Sequence, residues 1–406
     1  MNRVVITGMG TVSALGADVN ALVTGMSSGI SAVKCMHEWK EFSGLNSLVG
    51  APVVLENVKS IPRKNRRSMG RMSIMAVQAA DQAIADAGLD EETICSGETG
   101  CIVGSTMGGA ESLYESIKTI LGRKDLSDLS SMSFFKCVSH SAAMNLAQYL
   151  KLKGVVMSTS AACASALQAI GVGRDLIRLG KQSVVLCGGA EELHPTVTGS
   201  FDILFATSTH YNDTPEKASR PFDRDRDGLV CGEGAGILVL ENYEHARARG
   251  AHIYAELIGF DTCGSGAHVS QSDKFAMIRC IKAALADAGI SPDDVDYINA
   301  HATATAHGDE QEAAAIREIF PETVPVSSLK GYIGHTLGAS GAIELAATLK
   351  MMENNVVYPT MNLDSVAEEC SGINHVQSLC EKELNVIVKN CFAFGGINAS
   401  LVCRKM

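Results

Sequence analysis

The chain carries the same local plan twice, and that repetition narrows its fold more than any other feature. In the first copy a β-branched run enters a turn of small residues and leaves as an apolar run with helical spacing, VVMSTSAACASALQAI from Val155 to Ile170. In the second, VPVSS from Val324 runs into LKGYIGHTLGASGAIELAATLKMM, so that Ser327 to Gly338 holds the place of Ser158 to Ala164. Helices expected over Met75–Gly88 and Met277–Gly289 repeat as well, one ending in DAGL and the other in DAGI. Glycine is the usual stop for such a helix. Strands alternating with helices in two copies predict a layered α/β fold used twice, with halves at 1–245 and 246–406.

Within the first copy, the spacing places Cys163 between a buried strand and a helix, on the helix's first turn. Free backbone amides and the positive end of the helix dipole there lower a thiol's pKa, so Cys163 is the candidate nucleophile. The other reading of any free cysteine is a small core hydrophobe. There are 13 cysteines, scattered from Cys35 to Cys403 without a CxxC pair. They predict neither a disulfide framework nor a zinc site, and they suit a reducing compartment. A net charge of −11 argues against general nucleic-acid binding. Apolar runs such as Gly236–Leu240 are too short to span a bilayer, and MNRVVITGMG lacks a signal-peptide core, so a cytoplasmic location is expected.

Other stretches refine the picture. Val4–Thr7 reads as a first strand, and Gly8, Gly10 and Gly16 after it as tight turns rather than a dinucleotide loop, because the third glycine is misplaced. Arg63, Lys64, Arg66, Arg67 and Arg71 form a basic cluster in an acidic chain. It fits either a solvated helix face or a surface that steers an acidic partner. A short strand, Cys101–Gly104, ends in STMGG, where Met107 could line a pocket, and Ala142–Leu152 reads as a helix. The turn-rich segment Tyr211–Gly236 alternates acid and base from Asp223 to Asp227, best read as a charge network that fixes a long loop. Further strands run into His301 and towards Lys330 and His335, and VIVKNCFAFGGINASLVCR predicts two strands joined by a glycine loop. Open α/β sheets collect their sites at strand carboxyl ends, so Cys163, His301 and the Lys330/His335 pair are expected to converge. A cysteine with histidines is a nucleophile and acid/base set for acyl transfer.

TSAACAS around Cys163, HATATAHGD from His301, KGYIGHTLGASG with Lys330 and His335, and the closing FAFGGINAS together resemble the elongating β-ketoacyl-acyl-carrier-protein synthases of the thiolase superfamily. The likeness runs from RVVITGMG to the last strand. It implies a duplicated five-layered α/β/α/β/α fold, a dimer, and a Cys-His-His site in which Cys163 accepts the acyl group. His301 and His335 would bind the malonyl thioester carbonyl, and the amides of Cys163 and Phe394 would form an oxyanion hole, with Phe394 also the gate. Thr303 and Thr305 match the threonines that hold the phosphopantetheine arm, Glu312 and Lys330 a buried charge pair, and Met107 and Phe201 the acyl pocket. Arg63, Lys64, Arg66 and Arg67 match the face that docks the acyl carrier protein. The carrier supplies the phosphopantetheine, and no metal or other cofactor is implied.

The sequence departs from the family pattern at Ala302, Ala304 and Ile397, which bear on chain preference rather than on any catalytic group. A ketosynthase dedicated to a polyene or polyketide pathway and paired with a chain-length factor is the alternative reading. A coenzyme A-dependent thiolase would need a second cysteine as base, yet Cys391 lies four residues before the glycine pair and His335 fills the second-histidine place. A non-catalytic chain-length factor typically lacks the nucleophile that Cys163 supplies.

Overall fold

The computed structural model describes residues 1–406, with the side chain of Arg123 left aside. The first half contributes β1 (Val4–Val12), β2 (Thr99–Gly104), β3 (Val156–Met157), β4 (Val184–Glu191) and β5 (Gly234–Asn242). The second contributes β6 (Ala255–Gly264), β7 (Tyr297–Asn299), β8 (Pro325–Ser327), β9 (Asn374–His375), β10 (Val386–Ala393) and β11 (Ile397–Lys405). In space the first half runs β3-β2-β4-β5-β1 and the second β8-β7-β10-β11-β6, with β9 added outside β8. The pairing senses match too: in each half the three strands farther from the junction, β3-β2-β4 and β8-β7-β10, are parallel, and the pairings nearer it are antiparallel. The two halves join where β1 pairs antiparallel with β6, Val5 opposite Glu256. Duplication is therefore visible in the topology itself.

The main helices are α1 (Arg71–Ala87), α2 (Ser165–Arg178), α3 (Lys274–Ala288), α4 (Ala306–Ile319) and α5 (Ser340–Asn354). Helices α2 and α5 lie between the two halves of the sheet, where Leu167, Ile170, Ile343 and Leu345 share one core with Val185 and Leu238 of the first half and Ile387 and Leu401 of the second. Helix α1 covers the outer face of the first half and α3 with α4 the outer face of the second. The result is the five-layered α/β/α/β/α arrangement. Buried on both faces, the inner strands read as continuous apolar runs.

Close packing explains glycines that the sequence suggests are turns. β1 runs straight through Gly8 and Gly10, and a Cβ on Gly10 would lie 2.0 Å from the Ala79 carbonyl oxygen. They let α1 seat directly on the strand. Between the central helices, a Cβ on Gly341 would come within 2.9 Å of the Leu167 amide nitrogen.

A second correction concerns the strand before Cys163. β3 is an edge strand rather than a buried one, with Val156 and Met157 each 43% exposed. By contrast, the loop from Tyr211 to Gly236 is held by charge as expected. Arg220 pairs with Asp223 at 2.9 Å and Arg226 with Glu369 at 2.8 Å. Asp223 also accepts the amides of Asp225, Asp364 and Ser365, so most partners lie outside the alternating run itself.

Candidate active site

The turn into α2 is built by side chain-to-backbone bonds that only small residues allow. Ser165 Oγ donates to the Ala162 carbonyl at 2.7 Å and accepts the Ala161 amide at 2.8 Å. Ala162 takes a left-handed φ of +46°, an unfavourable conformation for an L-residue. Cys163 follows it two residues ahead of α2 rather than on the first turn. The sequence predicts a lowered thiol pKa; burial instead pushes Cys163 up to about 12, with the neighbouring Cys391 adding to it and Lys330 opposing. Cys163 is 2% exposed, so desolvation of a thiolate outweighs the helix dipole.

His335 Nε2 lies 2.9 Å from Cys163 Sγ, and its Nδ1 lies 2.9 Å from Ser340 Oγ at the start of α5. An isolated bridge to Cys231 fixes its backbone: the His335 amide donates to Val230 and its carbonyl accepts from Gly232. The His301 ring stands edge-on to that of His335 with centroids 5.2 Å apart. His301 is held from behind by Glu312 in α4, whose carboxylate accepts the His301 and Ala302 amides at 2.8 and 2.7 Å. Burial first, and the charge on Lys330 second, place both histidines well below the ordinary 6.5. Both rings are therefore neutral near pH 7.

The buried ion pair differs from expectation. Lys330 pairs with Glu344 of α5 at 2.8 Å, and Lys389 of β10 contacts the other oxygen of the same carboxylate. Glu312 is spent on backbone amides, because α4 presents it to the loop after β7. The signal for Glu344 was an acidic residue inside the apolar run GAIELAATL. Two more buried carboxylates went unread in the sequence. Glu191, at the end of β4, accepts the amides of Thr106, Met107 and Gly338 and so ties the loop after β2 to the loop after His335. Asp309 accepts the amides of Thr303 and Phe222. Each clamps a loop by its backbone, which residue type alone does not announce.

A cavity of about 20 Å³ brings together Cys163, His301, His335, Thr303, Thr305 and Phe394. Thr305, Gly308, Ser272 and Phe394 also line an outer cavity of about 280 Å³, so Phe394 stands between the two. Its backbone is a hairpin turn made possible by Gly395 and Gly396 at φ +87° and +72°. Phe201 stacks on Phe394 with centroids 5.9 Å apart. Met107 is not in the cavity; it is 42% exposed on the surface. Arg63, Lys64 and Arg67 are exposed, while Arg66 is half-buried with its Nε on the Ile61 carbonyl. Arg71 leaves the basic cluster altogether and pairs inward with Glu233 at 2.6 Å. Cys163, His301 and His335 also place three potential metal-ligand atoms within 4.8 Å of one another.

Residues 1–246 match the family model described as beta-ketoacyl synthase, N-terminal domain, and residues 254–364 that described as its C-terminal domain. The chain belongs to the β-ketoacyl synthase family. It is 39% identical over 408 residues to 3-oxoacyl-[acyl-carrier-protein] synthase 1 of Escherichia coli strain K12, covering all of both chains, and 37% identical to the Haemophilus influenzae synthase 1, covering all of this chain and 99% of that one. Its structure superposes with a TM-score of 0.97 on a beta-ketoacyl synthase from Burkholderia phymatum, at 43% identity and full coverage of both chains. The ketosynthase in the AntDE:AntF complex with its type II polyketide acyl-carrier protein superposes at 0.91, with 33% identity and full coverage of both chains. The curated relatives mark this β-ketoacyl synthase as an acyltransferase with the thiolase-like fold. Among the described residues no helix is long and apolar enough to cross a membrane.

Proposed function

We propose that this synthase extends a Cys163-bound acyl chain by two carbons through decarboxylative condensation with malonyl-acyl-carrier protein, in fatty-acid elongation. The observation that carries the reading is a neutral His335 with Nε2 2.9 Å from Cys163 Sγ, beside a neutral His301, in one buried cavity. Acyl loading exchanges one thioester for another, so the Cys163 proton ends on the departing pantetheine thiol. His335 relays it through Nε2 in the tautomer that keeps the ring proton on Nδ1 towards Ser340, and need hold it only in passing, which suits a buried imidazole of low basicity. The oxyanion formed on the acyl carbonyl sits against the backbone amides of Cys163 and Phe394.

The malonyl arm enters past Phe394 along Thr303 and Thr305. As carbon dioxide leaves, the electrons of the broken bond form an enolate whose oxygen takes N–H donation from His301 and His335. A hydroxyl proton given by Ser340 to Nδ1 would set His335 with its N–H on Nε2. Removing one preorganised donor of this kind costs on the order of a hundredfold or more in rate. The enolate carbon then attacks the Cys163 thioester, and the released thiolate takes up a proton to restore the thiol. No resident cofactor enters this scheme, since the carrier brings its own phosphopantetheine.

Arg63, Lys64, Arg66 and Arg67 are the proposed docking face for that acidic carrier. We further read the molecule as a homodimer of chains each built from halves 1–245 and 246–406. The edge strand β3 offers unpaired backbone groups, and Met107, Leu113 and Ile117 are exposed apolar side chains. Such a partner is what would bring Met107 into an acyl pocket. The departures at Ala302, Ala304 and Ile397 support the second reading, a polyene or polyketide ketosynthase working with a chain-length factor.

Intact-mass spectrometry after incubation with saturated and polyunsaturated acyl-carrier thioesters, then malonyl-carrier protein, tests both. Saturated acyl groups on Cys163, discharged by the malonyl donor, are expected for elongation. Loading of conjugated chains only, or only with an added partner subunit, selects the second reading. Undiminished acylation of Cys163→Ala sinks both.

A further inference from the structure

A second reactive cluster lies on the far side of the gate hairpin. Cys263, near the end of β6, and Asp261, two residues earlier on the same face of the strand, meet Cys280 of α3. Both sulfurs and a carboxylate oxygen of Asp261 lie within 4.8 Å of one another. The two thiols are not equivalent. Cys263 is half-exposed, with the Arg279 guanidinium 3.9 Å from its sulfur, whereas Cys280 is buried and its sulfur sits 3.4 Å from the Asp261 carbonyl oxygen.

We propose that Cys263 and Cys280 form a thiol-modification site in which Cys263 is attacked from solution by a small disulfide and Cys280 resolves the product to an intramolecular disulfide. In the first step Cys263 thiolate displaces one thiolate from the small disulfide and forms a mixed disulfide. In the second, Cys280 passes its proton to the adjacent Asp261 carboxylate and attacks the Cys263 sulfur, expelling the other thiolate. Two protein thiols are oxidised and one external disulfide is reduced to two thiols. The Cys280 thiol and the Arg279 charge lower the Cys263 thiol, the condition for an attacking cysteine, while Cys280 is raised.

The position gives the bond a consequence. Cys263 pairs with Asn398, Gly264 with Ile397, and the Ser265 amide donates to the Gly396 carbonyl at 2.8 Å, so β6 carries the hairpin that presents Phe394. Cys280 lies one helical turn beyond Met277, which lines the Cys163 cavity. The disulfide ties the gate-bearing ribbon to the helix beneath it. This consequence rests on the gate role proposed above; formation of the bond does not.

The test treats the full-length protein with oxidised glutathione and maps its peptides. The wild type is expected to lose two hydrogens and yield a peptide pair linked through Cys263 and Cys280, while Cys280→Ser holds glutathione on Cys263. Turnover should fall severalfold and return on adding dithiothreitol, and Cys263→Ala should be spared. Cys263 left unmodified while other cysteines react, or stable glutathione on Cys263 in the wild type without a link to Cys280, overturns the site. Equal inhibition of Cys263→Ala, or full turnover by the linked protein, overturns its coupling to the gate.

Discussion

Keeping two histidines neutral in a buried site has a measurable thermodynamic cost in acid. His301 binds a proton in the unfolded chain near the ordinary 6.5 but in the folded chain only well below it. Between those two points the unfolded state holds more protons, so stability falls as pH falls, by about 1.4 kcal/mol for each pH unit and each histidine. The whole protein will not display that slope directly. Burial raises Glu192 and Asp309 to about 7, and those groups hold protons in the folded state that the unfolded state has released, which favours folding as pH falls. The difference between wild type and His301→Gln cancels these groups, together with His194 and His375, and leaves one histidine's share. Urea midpoints at pH 7.5, 6.5 and 5.5 are the assay, read as relative stability. The variant should gain about 1 kcal/mol on the wild type between pH 6.5 and 5.5 and only about 0.3 kcal/mol between 7.5 and 6.5. His335→Gln should behave alike. A difference that stays constant across the range in both variants would refute the claim that these rings are neutral by desolvation.

The shared carboxylate gives a second expectation. Glu344→Gln leaves two fully buried ammonium groups without an anion and should destabilise by about 3–5 kcal/mol, against a smaller loss for Lys330→Met, which keeps the Glu344–Lys389 pair. Urea midpoints for the two variants should fall in that order. Because Lys330 is the second cause of the lowered histidines, Lys330→Met should also make the acid destabilisation level off at a higher pH and shrink its total, with the onset unchanged near the unfolded value. For the basic face, Arg63→Glu with Arg67→Glu should raise KM for acyl-carrier protein on the order of tenfold at low salt. Steady-state rates with a short pantetheine thioester should be unchanged, and the carrier effect should shrink as salt rises.

Much of this site is legible in the sequence because its chemistry sits where local structure is easiest to read. Cys163, His301 and His335 each lie in a short segment that follows a strand, and periodicity finds those strands. Ala304 adopts φ +70°, a left-handed conformation that glycine would favour, and keeps it without one. What escapes the sequence is decided by tertiary neighbours. The thiol's raised pKa depends on burial from all sides, which a helix-dipole argument cannot weigh. The pairing of Lys330 depends on whether α4 or α5 points its glutamate at the lysine, and spacing fixes neither. Gly8 and Gly10 read as turns because the helix that needs their missing Cβ atoms arrives some seventy residues later.

The charges around the site also fit the reaction better than the lowered cysteine would have. A permanent thiolate beside the malonyl carboxylate would repel it and would make each histidine more basic. A neutral thiol and neutral rings leave Lys330 and Lys389, bridged by Glu344, as the cations whose field acts on both histidines. A positive field in a dry cavity favours entry of a carboxylate and an enolate that forms as carbon dioxide departs. The same field opposes protonation of His301 and His335, which keeps their remaining N–H groups as donors rather than acids. Burying two lysines over one glutamate therefore serves the histidines, which lie too deep for solvent to set their charge.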